Sequence, residues 1–145
     1  MNRRTFLTAI SAAPILPAQD WPQWRGPNRD GAAPSSSATL TWPEKLKPVW
    51  KVTVGEGHSS PVVAGGRVYQ FARRANDEVA AAFDLATGKK LWEHAEPAPY
   101  EMNPAANGHG KGPKATPVIA GGKLYTFGIA GALSCLDAAL SLIHI

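Results

Sequence analysis

The stretch from Tyr100 to Lys111 concentrates side chains that could hold a polar ligand. Tyr100, Asn103, Asn107, His109 and Lys111 offer an aromatic platform, two amides, an imidazole and a cation within one connection. Such a set binds by stacking, hydrogen bonding and charge, although a long connection serves equally well to pack the next element. His109 lies between Gly108 and Gly110, where an imidazole is exposed, and an exposed loop histidine without a role is the commoner case. His58, His94 and His109 share no ligand spacing, and no run of Asp, Glu and Asn has the spacing of a calcium loop, so no metal site is expected. Cys135 is the single cysteine, which excludes an intrachain disulfide and a multi-thiolate metal centre; its small, apolar neighbours point to a buried structural thiol. Arg73, Arg74, Asp77 and Glu78 read as a solvated loop with local ion pairs.

The elements that position these residues follow from composition and self-comparison. Fourteen glycines and thirteen prolines in 145 residues favour a turn-rich, β-rich chain. With 44% hydrophobic and 18% charged residues there is material for a packed core, which argues against disorder, coiled coil and collagen. The run Ser60 to Tyr69 recurs as Thr116 to Tyr125, an offset of 56, and Ala82 to Ala86 aligns with Cys135 to Ala139 at an offset of 53. Val49 and Trp50 resemble Leu91 and Trp92 at an offset of 42, the length of a four-stranded propeller blade. Residues 61–64, 67–73, 79–84 and 89–94 are predicted as four short strands, with Gly65 and Gly66 turning the first hairpin. Asp84 is placed to accept turn amides, and Gly88 to take a backbone conformation closed to other residues.

Ala82, Asp84, Thr87, Gly88, Lys89 and Trp92 match the tryptophan-docking motif of quinoprotein propellers, and the chain resembles the bacterial PQQ-binding-like β-propeller repeat proteins. The lead-in Asp20 to Gly31 and the insertion from Tyr100 to Pro113 are similar to stretches of exported members. The resemblance implies an all-β fold, a partial β-propeller of four-stranded antiparallel blades, one complete and one incomplete. It also implies that Trp92 is wedged between adjacent blades, with Asp84, Thr87 and Gly88 structural and Lys89 a solvated turn residue. Two copies leave unpaired strand edges and an uncovered inter-blade face.

The ends carry a different signal. Arg3 and Arg4, then Phe6 and Leu7 and a weakly apolar stretch to Ala18, resemble a twin-arginine export signal; the run is too short to span a membrane. Leu140 to Ile145 resembles the translation of a transposon end used in sequencing libraries, and the second copy lacks the expected Thr-Gly-Lys continuation there. The expected organisation is a signal peptide at 1–18, a lead-in at 19–47, truncated propeller repeats at 48–139 and an adapter-derived tail at 140–145.

The formal charge of +4 falls by two when the two arginines of 1–18 are removed, too little to suggest a nucleic-acid partner. The resemblance supports three functions: an exported binding platform for a small molecule or periplasmic protein, a PQQ-dependent alcohol or sugar dehydrogenase, and an outer-membrane assembly scaffold. The dehydrogenase would require PQQ with calcium, and neither the vicinal cysteine pair of many such enzymes nor a calcium-ligand cluster is present. The scaffold's usual lipoprotein cysteine is also missing. The expected location is periplasmic or secreted, no transmembrane segment is expected after signal removal, and catalysis and oligomeric state are left open.

Overall fold

The computed structural model describes residues 19–33 and 43–140. The export-signal reading of 1–18 and residues 141–145 of the adapter reading lie outside the described residues, as does 34–42 of the lead-in. Seven strands among the described residues form two antiparallel sheets. The first sheet is a meander of β1 (Val62–Ala64), β2 (Arg67–Arg74), β3 (Asp77–Asp84) and β4 (Lys90–Pro97); the second comprises β5 (Val118–Ala120), β6 (Lys123–Phe127) and β7 (Leu133–Asp137). These are one four-stranded and one three-stranded partial propeller blade. A 3-10 helix, Pro104–His109, lies in the connection between the sheets.

Alternation along β2 and β3 sorts side chains between two faces. Val62, Tyr69, Phe71, Ala80 and Ala82 face the second sheet and meet Leu124, Leu136 and Ala138 in one core. β3 is buried on both faces, and its alanines at 80–82 keep the sheet thin where other chain segments cross it. β4, at the edge, alternates exposed and half-buried residues, and a register shift at Ala82/Phe83 accommodates the extra Leu91.

Two boundaries differ from the sequence reading. The supposed loop at 73–78 is a tight hairpin: β2 continues to Arg74, β3 starts at Asp77, and only Ala75 (φ 52°) and Asn76 turn the chain. Arg73 and Glu78 pair across this ladder and are 4% and 5% exposed, not solvated. Their charges tolerate burial because backbone groups from distant segments satisfy them. β4 also runs past His94 to Pro97, since Glu96 and Pro97 stay in register with Glu78 and Asp77.

The lead-in joins the two sheets at their β1 and β5 edges. Trp21 exchanges both backbone hydrogen bonds with Val63, at 2.7 and 2.9 Å, while the Pro22 carbonyl accepts from Ile119 N at 2.8 Å. Asp20 accepts from the Gly65 amide at 3.0 Å. Gly26, at φ 78°, lies flat against Trp21, where a Cβ would come within 2.7 Å of the indole ring.

Candidate functional site

Two constellations carry chemistry. The first is the row of turns and indoles between successive structural copies. Asp84 Oδ1 accepts from the Thr87 amide at 2.8 Å and the Thr87 hydroxyl at 2.7 Å, and these bonds hold its carboxyl below the ordinary aspartate value. The Gly88 amide donates to Asp84 O at 2.8 Å and Asp84 N donates to Lys89 O at 2.9 Å, closing the turn; Lys89 itself is exposed. Ala82 is wholly buried. Trp92 is half-buried, tilts at 54° to Tyr69, and donates Nε1–H to the Ala138 carbonyl at 3.1 Å. Tyr69 OH donates to the same carbonyl at 3.1 Å.

Trp50 makes the same kind of bond one copy earlier, donating Nε1–H to Leu85 O at 2.9 Å. Leu85 follows Asp84 as Ala138 follows Asp137. Gly88 has φ +70°, and a Cβ there would lie 2.6 Å from the Trp50 ring. Its missing side chain therefore serves a close approach as well as the turn, a neighbour that local sequence did not reveal. In the second copy Asp137 Oδ1 accepts from Ala139 N at 2.9 Å and Leu140 N at 3.1 Å, and its carboxyl is likewise held down, chiefly by the Ala139 amide.

The second constellation is the opposite end of the sheets. The 65–66 and 84–89 turns share one end, joined by the Leu85 amide donating to Gly66 O at 3.0 Å. The 75–76 turn and the long connection share the other, where Ala98 N donates to Asn76 O at 2.9 Å. Buried Arg73 organises this end: Nη2 donates to Ala98 O at 2.6 Å and Nε to Lys111 O at 2.8 Å, clasping both ends of the connection. Its ladder partner Glu78 accepts from Ile129 N at 2.9 Å and packs against Gly128, so each charge anchors a different loop. Finding this pair from sequence would have required partners 25 to 51 positions away.

The five residues of the connection have different surroundings. Tyr100 is half-buried; Asn103 caps the 3-10 helix, its Oδ1 accepting from Ala105 N at 2.9 Å; Asn107, His109 and Lys111 are exposed. His58 Nε2–H donates to the His109 carbonyl at 3.0 Å, and Lys114 donates to the carbonyls of His109 and Gly110. A neighbouring concavity is lined by Trp24, His58, Ser60, Lys114 and Thr116, and none of the five residues lines it. Between the sheets, His94 and Glu96 lie 3.0 Å apart and Ser134 Oγ donates to Glu96 at 2.9 Å. The hydroxyl is thus bonded to the carboxylate instead of the imidazole, which is not the order of a nucleophile and its base. Among the described residues, no group of three or more His, Cys, Asp and Glu is placed to hold a metal ion.

No helix among the described residues is long and apolar enough to cross a membrane. No curated protein matches the chain. One family matches over residues 42–108 and again over 77–141, overlapping segments that contain both sheets and the two indoles, Trp50 and Trp92, that bond to the turns. With its two partial blades and two indole-to-turn hydrogen bonds, the chain belongs to the PQQ-like repeat family described as outer membrane protein assembly factor BamB.

Proposed function

We propose that this chain is exported to the periplasm or beyond and acts as a binding platform, with the 97–112 connection presenting its ligand-facing side chains. Arg73 carries the reading: its buried guanidinium binds the carbonyls of Ala98 and Lys111, so the connection is preorganised while Asn107, His109 and Lys111 remain exposed. The export reading rests on Arg3, Arg4, Phe6 and Leu7 and agrees with the family's outer-membrane description. Within this reading Ala82, Asp84, Thr87, Gly88 and Trp92 form a docking unit that holds the platform rigid, with exposed Lys89 a solvated residue of the same motif. A periplasmic protein is the favoured partner class, because the family description is that of an assembly factor and the exposed groups lie on an open surface.

The test compares Tyr100→Ala and His109→Ala with Lys89→Ala, measuring partner pull-down, PQQ binding and dye-linked alcohol oxidation. Loss of partner capture in the two loop variants, with Lys89→Ala unchanged, is the expected result. Folded loop variants that match the parent in all three measurements would remove the connection from the binding face. Oxidation that needs added PQQ and calcium would favour the dehydrogenase reading instead.

A further inference from the structure

The concavity beside the long connection is built from three segments that enter the two sheets. Trp24 comes from the lead-in, His58 and Ser60 from the approach to β1, and Lys114 and Thr116 from the approach to β5. It encloses about 430 Å³, within the range of sites for small molecules. The bonds that tie its walls together leave part of the same groups' capacity unused. Ser60 N donates to Thr116 Oγ1 at 3.2 Å, so the Thr116 hydroxyl keeps its own proton to donate. His58 spends Nε2–H on the His109 carbonyl, which leaves the Nδ1 lone pair of the neutral ring as an acceptor. Lys114 gives two of its three N–H groups to the His109 and Gly110 carbonyls and retains the third.

Trp24 is 64% exposed, yet the loop that carries it is fixed. Gly26 N donates to Gln23 O at 3.0 Å and Gly31 N to Arg25 O at 2.9 Å. Arg25 Nη2 donates to Asp30 O at 3.1 Å, and Arg29 Nε to Gln23 Oε1 at 3.2 Å. Arg25 and Arg29 are held at φ 64° and 59°, the left-handed region that disfavours any residue with a Cβ. The Arg25 guanidinium lies 5.6 Å from the indole centroid. The loop thus accepts backbone strain and spends its side-chain donors on itself while its largest apolar ring stays in solvent at the concavity, an arrangement that presents the indole as a binding surface.

We propose that this concavity binds an acidic saccharide, a pyranose ring that bears a carboxylate. The indole supplies a flat, electron-rich face for the C–H groups of the sugar ring. The Ser60 and Thr116 hydroxyls, His58 Nδ1 and the remaining Lys114 N–H offer the mixture of donors and acceptors that sugar hydroxyls require. Charge selects the carboxylate: no acidic side chain lines the concavity, and no carboxylate pairs with Lys114 among the described residues. Arg25 adds a second cation beside the indole. The inference stands apart from the 97–112 reading, because Tyr100, Asn103, Asn107, His109 and Lys111 take no part in the lining.

Calorimetric titration of the full chain with trigalacturonate, and with maltotriose as a neutral sugar of the same length, tests the assignment. Trigalacturonate should bind more tightly than maltotriose, and Trp24→Ala and Lys114→Gln should each weaken it by about tenfold or more. Both side chains are exposed, so the two variants should keep the parent's urea midpoint. Nuclear magnetic resonance gives a readout in the unaltered chain: the Trp24 indole N–H and the His58 ring should shift on adding trigalacturonate, while Lys89 should not. Absence of both heat and these shifts up to about 10 mM sugar overturns the proposal. So does binding that Trp24→Ala leaves unchanged, or equal affinity for maltotriose. Shifts confined to Tyr100, Asn107 and His109 also overturn it, and would place the sugar on the 97–112 connection instead.

Discussion

At the residue scale, Asp84 shows how one hydroxyl tunes a turn. The Thr87 hydroxyl and amide both donate to Oδ1, favouring the charged carboxylate and lowering its pKa. A depressed folded-state value contributes stability above the unfolded aspartate value, and that contribution is lost as pH falls through the folded one. Thr87→Val should raise the Asp84 pKa toward the ordinary range and leave Asp137, whose turn has Leu140 instead of a threonine, unchanged. Carboxyl NMR titration of both residues measures this, and the stability difference between variant and parent should close in acid. Arg73 is the second test. Arg73→Met keeps the apolar stem but leaves the Ala98 and Lys111 carbonyls without their donor, a loss of about 2–4 kcal/mol at the usual cost of buried unsatisfied groups. The urea midpoint should fall, and hydrogen exchange should quicken across 98–112.

At the element scale, two indoles, Trp50 ahead of the first sheet and Trp92 on β4, each bond to the turn of the following copy. Trp92→Ala removes a half-buried ring and the bond to Ala138 O, and should cost about 3 kcal/mol, the low end for a core tryptophan. Exposed Lys89→Ala should cost under about 0.5 kcal/mol. Urea midpoints of the two variants check the pair, and equal midpoints would remove Trp92 from any docking role. Much of this architecture was legible in the chain. The offset of 42 between Trp50 and Trp92 and the recurrence of Ser60 to Tyr69 specify the repeat, because each copy needs the same turn and the same apolar alternation. The partner of Gly88 was not legible, since the indole packed on it is Trp50, 38 positions earlier. Arg73 and Glu78 were misread for a related reason: charges beside a hairpin turn suggest solvent, and only the folding of distant loops over them reveals burial. The surroundings of the five residues of the long connection, Tyr100 half-buried and Asn107, His109 and Lys111 exposed, follow from the tertiary arrangement and not from the residue types.

At the scale of the whole molecule, the two sheets share little covalent continuity, being joined by a connection of twenty residues, 98–117. Their relative placement depends on the core around Leu124 and Leu136 and on the lead-in laid along both edges. Trp21 exchanges two backbone hydrogen bonds with Val63, and the next carbonyl, that of Pro22, takes the Ile119 amide, so one short segment crosses from the first sheet to the second. Replacing Trp21 by proline removes the N–H that donates to Val63 O and takes away the ring lying against Gly26. The strands of each sheet keep their own ladders in this variant; what weakens is the junction between β1 and β5. Trp21→Pro should therefore raise the exchange rates of the Val63 and Ile119 amides far more than those of Ala80 or Ala82 inside the first sheet. It should also broaden thermal unfolding, because two sheets less firmly joined lose cooperativity. Uniform acceleration across both sheets with a transition as sharp as the parent's would mean that the core alone sets their placement.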